Sequence, residues 1–314
     1  MFRRLARRAV RGLLLVVVAS FVGFALLARV PGDPARSVLA ARGVAEPAPA
    51  DVAAVRTELD LDRSVPARWA AWALGAVRGD LGRSWRTGAP VVEALGPRVA
   101  RTAALALAAA CVAVLLALAT APRAAAAAGG AGDRVFRAAT TLLASTPAFV
   151  LGLLLARWLG AGLGAFPTAG DATPAHYVLP ALTLGLLHAA APARVLRGGL
   201  VAELRKPYAV AARARGLAEP DVVERHALRN AAAPFAALAG LSVRGLLGGA
   251  VLVEAVFGFR GLGTLLADAV GARDVPTVAA CLLVLAVATV LVQGATDAVV
   301  AALDPRARDA EVRR

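Results

Sequence analysis

Lysine is almost missing from this chain: Lys206 is the one lysine in 314 residues, and no GxxxxGK[ST] surrounds it. A phosphate-cradling loop needs glycine amides and a lysine that reaches the phosphates, so the chain supplies no ATP site of that kind. Cysteine is scarce as well. Cys111 and Cys281 both lie in apolar runs, which excludes a disulfide framework and a CxxC metal site and leaves them as small buried hydrophobes. Aromatic residues make up only 5%, too few for a basic surface that stacks nucleic-acid bases. No HExxH, no GxSxG and no Cys/His constellation is present. Asp60, Asp62 and Asp80 are not spaced as an acid/base pair and read as solvated charge. No catalytic residue, metal ligand or cofactor is called for.

What is abundant is apolar. Hydrophobic residues reach 59% and the mean hydropathy is +0.68, outside the range of an ordinary soluble domain. The chain is predicted to be an all-α membrane protein. Its net charge of +14 clusters around the apolar runs, where anionic lipid and cytoplasmic orientation account for it better than nucleic acid does.

Six runs are predicted to span the bilayer. The first, Leu13 to Ala28, follows Arg3, Arg4, Arg7, Arg8 and Arg11. It reads either as a signal peptide or as an uncleaved first helix, and the membrane character of the rest favours the helix. The second, Thr102 to Pro122, carries no charge over 21 residues, enough to cross. Ala138 to Ala156 is the third, with Ser145-Thr-Pro147 inside it kinking the helix, for packing or as a hinge. Val178 to Ala193, Ala231 to Val256 and Val275 to Thr296 are the fourth to sixth. Between the first two lies a polar segment, 31–101, read as a small external helical domain. There Asp51 caps a helix to about Leu59, and Trp69, Trp72, Ala73 and Val77 share a face. With the 11 arginines of the long external segment, counted from Arg29 to Arg101, left out, since translocated domains escape the rule, twenty Lys/Arg flank the spans on one side and three on the other, which puts both termini in the cytoplasm.

The most informative stretch is 200–234, basic and Ala-rich, between the fourth and fifth spans. Good helix formers run from Leu200 to Arg215. Gly216 ends that helix in the left-handed conformation, and Pro220 suits the first turn of the next. Helix, glycine turn and helix would present a small apolar knob flanked by Arg213, Arg215, Arg225 and Arg229. An arginine-rich loop can also be a topology determinant and nothing more.

Here a resemblance enters. Ala211-Ala212, three residues and then Gly216 resemble the EAA loop of ABC importer permeases. Arg213-Ala-Arg-Gly-Leu217, His226-Ala-Leu-Arg-Asn-Ala231 and Pro234 resemble its oligopeptide/dipeptide/nickel version. Leu27-Ala-Arg-Val-Pro-Gly-Asp-Pro-Ala35, Gly79-Asp-Leu-Gly-Arg-Ser84, Leu179-Pro-Ala-Leu-Thr-Leu-Gly185, Glu254 to Gly263 and Leu303-Asp-Pro-Arg-Ala-Arg308 extend it along the chain. Four positions depart from the family pattern: Val210 for Glu, Ala218 for a capping Ser, Arg244 for a small or apolar residue, and Arg260 for Pro. The missing cap weakens the second helix by about 1 kcal/mol.

The resemblance implies a type I ABC importer permease fold: a transmembrane helix (1–30), the external segment, a five-helix core (102–304) and a tail (305–314). The implied site is the coupling loop, with Tyr208, Ala211, Ala212, Arg213, Arg215, Gly216, Leu217 and His226. The implied partners are a second, homologous permease, two ATPase subunits and an external solute-binding protein. The implied cargo is a di- or oligopeptide, a nickel chelate or glutathione. An ion-coupled secondary transporter is the alternative class, but it would show inverted repeats and intramembrane acids at broken helices. Two residues lie inside spans. Arg244, near the bilayer midplane, either lines the translocation path or pairs with Glu254, Asp268 or a partner's acid. His188 either meets cargo or bonds a backbone carbonyl. Gly245, Gly248 and Gly249 give the fifth span a thin face for close helix contact.

Overall fold

The computed structural model describes residues 2–29 and 32–303; the tail from Asp304 onward lies outside them. Thirteen α-helices are present among these residues: α1 (Phe2–Ala28), α2 (Pro34–Ala41), α3 (Pro49–Glu58), α4 (Val65–Val77), α5 (Val91–Ala126), α6 (Ala131–Ser145), α7 (Ala148–Leu155), α8 (Val178–Leu204), α9 (Pro207–Ala214), α10 (Glu219–Val222), α11 (Leu228–Val256), α12 (Leu262–Gly271) and α13 (Val275–Leu303). Beyond one isolated bridge between Arg83 and Pro90, they contain no β pairing.

Among the described residues, four helical stretches are long and apolar enough to cross a membrane: Val91–Ala126, Pro174–Leu204, Glu219–Val256 and Val275–Leu303. A fifth exists if α6 and its continuation through α7 to Gly162 count as one span, bent by 110°. Length alone therefore gives four or five spans against the six expected, because the apolar part of α1, Gly12–Leu27, is shorter. The predicted kink at Ser145-Thr-Pro147 is instead a complete break. Thr146 is extended, at φ −90° and ψ 126°, as expected for a residue crowded by the proline after it. Pro147 then precedes the first residue of α7.

The chain divides into two units, one of residues 1–102 and 260–290, the other of 103–259 and 291–314. In the first, α1 lies against α13: a Cβ on Gly12 would come within 2.9 Å of Val290, and one on Gly23 would overlap Leu282. Ala35, Val38, Leu39, Val52 and Val55 form a small core of α2 on α3. Asp51 does not occupy the cap position as expected. Ala48 does, and the Asp51 carboxylate accepts from the Ala48 amide at 3.2 Å. Trp69 and Trp72 pack with Phe24, whereas Val77, the last residue of α4, is 88% exposed. The loop before α5 is tied to the start of α13 by buried Asp274, which accepts from the Ser84 hydroxyl at 2.5 Å and the Trp85 amide at 3.1 Å. A further apolar helix, α12, occupies part of what read as an outward loop.

In the second unit α8 is the central element. Gly185 lets it approach α5 so closely that a Cβ there would sit 2.5 Å from Val112. Leu196, Leu200 and Leu204 of α8 join Val222, Val223, Ala227 and Ala231 in one buried cluster, worth roughly 1.5–3 kcal/mol for each large side chain removed from water. Asp133, 1% exposed at the start of α6, is held by Arg197 of α8 through two bonds of 2.9 and 2.7 Å and by the Gly129 amide at 3.0 Å.

Candidate functional site

The hairpin after α8 is built from three local stops. The predicted single helix from Leu200 to Arg215 is in fact two: α8 ends at Leu204, and Pro207 starts α9 at its first turn. Proline lacks the N–H that a continuing helix needs there. The second stop is Gly216, at φ +85°. The Leu217 amide donates to the Ala212 carbonyl at 3.3 Å and the Gly216 amide to the Arg213 carbonyl at 2.8 Å. That pair of bonds is the Schellman arrangement, and Leu217 completes it by packing on the buried cluster. Third, α10 opens with Pro220 in its first turn. Ala218, at its cap position, supplies no side-chain bond.

Electrostatics then lock the two arms. Arg213 donates from Nε and Nη2 to Glu219 at 2.7 and 2.8 Å, and from Nη1 to the Leu204 carbonyl at 3.0 Å. The bond to Glu219 raises the Arg213 pKa further. At the base, the Tyr208 hydroxyl donates to Glu203 at 2.7 Å, Asn230 donates to both at 3.3 Å, and the Tyr208 ring stacks on His226 at 6.5 Å. Burial, and then the bond to Glu203, raises the Tyr208 pKa. The His226 Nδ1 is buried without a partner.

The expected site residues therefore separate into two groups. Ala212, Tyr208, Leu217, His226 and Arg213 face inward or are engaged within the hairpin, so Arg213 does not flank the knob freely as expected. Arg225 is paired with Asp221 at 3.2 Å. Ala211, Arg215 and Gly216 are exposed, together with Val210 at 55% and Arg229. Val210 and Ala211 are the apolar side chains left uncovered there, and neither Arg215 nor Arg229 pairs with an acid among the described residues. Glu203, Asn230 and the Asp133–Arg197 pair escape sequence reading. Their one signal is that a lone acid beside an apolar run needs a basic partner.

The two residues predicted inside the spans are not alike. His188 donates through Nδ1 to the Leu184 carbonyl at 2.9 Å, the backbone-bonded alternative. Its Nε2 lies 3.2 Å from where a Cβ on Gly245 would be, so Gly245 and Gly249 serve the approach of α11 to α8. Gly248 borders open space. Arg244 has a buried Nε with no partner, and Glu254, fully buried, lies ten residues along the same helix, about 15 Å away. Among the described residues no group of three or more His, Cys, Asp or Glu is gathered as for a metal ion.

Two family models cover nearly the whole chain. The model described as binding-protein-dependent transport system inner membrane component matches residues 113–309, and that of the N-terminal part of the same membrane components matches 1–106. Among curated relatives, the glutathione transport system permease protein GsiC of Pectobacterium atrosepticum is 38% identical over 296 residues, 94% of each chain. The proteins of the same name from Salmonella typhimurium and Escherichia coli K12 are 36% and 34% identical, over 94% and 93% of this chain and 94% of their own. The chain belongs to the family of binding-protein-dependent transport system inner membrane components, the multi-pass permease subunits of ABC importers.

Proposed function

We propose that this permease passes a short peptide of the glutathione class through the membrane, driven by a separate ATPase that grips the hairpin between α8 and α11. The observation that carries the mechanism is the hairpin's construction. Its inner face is fixed by the Schellman turn and the Arg213–Glu219 clamp, while Val210, Ala211, Arg215 and Gly216 remain uncovered. A rigid lever with an exposed tip transmits movement; a loose loop would absorb it. Glu203 and Asn230 join the lever to the ends of α8 and α11, and Arg197 extends that connection to α6 through Asp133.

In this reading α1, α5, the bent α6/α7 pair, α8, α11 and α13 are six spans, with residues 31–101 outside and both termini in the cytoplasm. A homologous second permease, two ATPase subunits and an external solute-binding protein complete the importer. Arg244, with His188 behind the glycine face of α11, borders the path and draws the cargo's carboxylate. Glutathione is favoured over di- and oligopeptides or nickel chelates by the names of the relatives.

The test is Gly216→Asp in the assembled importer. No neighbour lies within 4 Å of a Cβ at that position, so the subunit should insert normally yet lose its ATPase on purification. Retention of the ATPase would contradict the coupling role. Uptake of labelled glutathione by proteoliposomes holding the complete importer tests the cargo separately.

A further inference from the structure

The two arms of the hairpin join their spans differently. On the α8 side the chain breaks, with Lys206 extended at φ −76° and ψ 154° before α9 begins. On the α11 side it does not. Glu219–Val256 is one helical rod of 38 residues, and Val222 and Leu228 both keep ordinary helical angles. Between α10 and α11, however, Val223–Ala227 forms a wide turn of π type, in which the Leu228 amide donates to the Val223 carbonyl five residues back. Such a turn holds an extra residue, and helices bend where one occurs.

The wide turn lies where three elements meet. Val222, Val223 and Ala227 are buried with Leu200 and Leu204 of α8 and with Ala212 of α9. The Asn230 amide donates at 3.3 Å to the His226 carbonyl inside the turn, to the Tyr208 hydroxyl of α9 and to Glu203 of α8. An amide group has two hydrogens to give, so these three acceptors compete for it. His226 Nδ1 is buried without a partner, a second group that the present shape of the turn leaves unsatisfied.

We infer that Val223–Ala227 is the joint through which the hairpin drives α11. The Arg213–Glu219 clamp stiffens the hairpin on one side of the turn. On the other side, α11 is packed on α8, where Leu246 and Leu184 share a core. When the tip is moved, the wide turn changes its bend, and Asn230 and His226 change partners with it. This inference rests on the coupling reading above and adds the place where movement enters the span.

Deleting Glu224 removes the joint. Glu224 is exposed, and with one residue fewer Val222 and Ala227 stand four apart, the spacing of a shared α-helical face. Both flanks therefore keep their buried sides. The variant importer should assemble, retain its ATPase and lose about tenfold in uptake of labelled glutathione, as expected when a gating step is blocked. Uptake at the wild-type rate would overturn the joint. Hydrogen exchange in the unaltered importer gives a second measurement that needs neither the variant nor the cargo. Amides of residues 223–230 should change their exchange severalfold between the nucleotide-free importer and one trapped with ATP and vanadate, while those of 240–250 should not. Equal exchange of 223–230 in the two states would overturn the joint even if the deletion variant failed to fold. The Gly216→Asp importer separates the two readings: if it keeps its ATPase the coupling role itself fails, and if it loses the ATPase while exchange is unchanged, the joint alone fails.

Discussion

Arg213 holds Glu219 through two parallel bonds, 2.7 and 2.8 Å, across the turn at Gly216. The two arms of the hairpin are thereby cross-braced at the point where a passing force would otherwise open them. Because both side chains are about one-third exposed, the pair is worth only ~0.2–1 kcal/mol of stability. Its value lies in geometry. Glu219→Ala should lower the melting temperature slightly while weakening ATPase retention severalfold. Arg213→Ala should do more, since Arg213 also bonds the Leu204 carbonyl. Thermal unfolding of the purified subunit and co-purification of the ATPase would show both orders.

Asp133 is the more severe test of packing. Its side chain is 1% exposed and accepts from Arg197 and the Gly129 amide. Asp133→Asn leaves Arg197 without its counter-charge, and Arg197→Met leaves buried Asp133 with only the Gly129 amide and the longer Arg137 pairing at 3.6 Å. Either should lower the yield of folded subunit and its melting temperature by several degrees. The double replacement Asp133→Leu with Arg197→Met should recover part of the loss, since an apolar pair avoids desolvation. Detergent melting curves of the four proteins measure this directly.

Gly216 separates backbone strain from steric effects. Space around it is open, so Gly216→Ala carries only the cost of φ +85°, about 1 kcal/mol. Gly216→Asn should be milder, because asparagine tolerates that conformation. A ranking of Gly, Asn and Ala in melting temperature checks the turn; equal melting of all three would mean the turn relaxes.

Arg244 carries the cargo side of the account. Arg244→Gln should leave insertion and ATPase retention intact and reduce glutathione uptake about tenfold, while Arg244→Lys should keep much of it. Unchanged uptake in the glutamine variant would return Arg244 to a structural role.

Local chemistry was readable from the sequence wherever a single residue type decides it. Gly216 and Pro220 fixed the hairpin, and the uncharged run from Thr102 to Pro122 marked α5. What could not be read depends on which of two compatible conformations the surroundings select. Leu200 to Arg215 contains good helix formers throughout, yet Pro207 starts a new helix because its ring and missing N–H suit a first turn. At Pro147 the same residue type was expected to bend a helix and instead interrupts it, since Thr146 takes the extended form. The engagement of Arg213 was hidden for another reason: Glu219 becomes its neighbour only after the glycine turn folds the chain back. Asp133 and Arg197 are 64 residues apart, and no periodicity links them.

Val210 is 55% exposed, and in the proposed topology it faces the cytoplasm where the ATPase docks. Cys111 is exposed, so the measurement uses Val210→Cys in a Cys111→Ala background, treated with a membrane-impermeant maleimide in intact cells and in inverted vesicles. Labelling should occur in the inverted vesicles alone and should be blocked when the ATPase is bound. Labelling in intact cells, or labelling that the ATPase does not affect, would contradict the account.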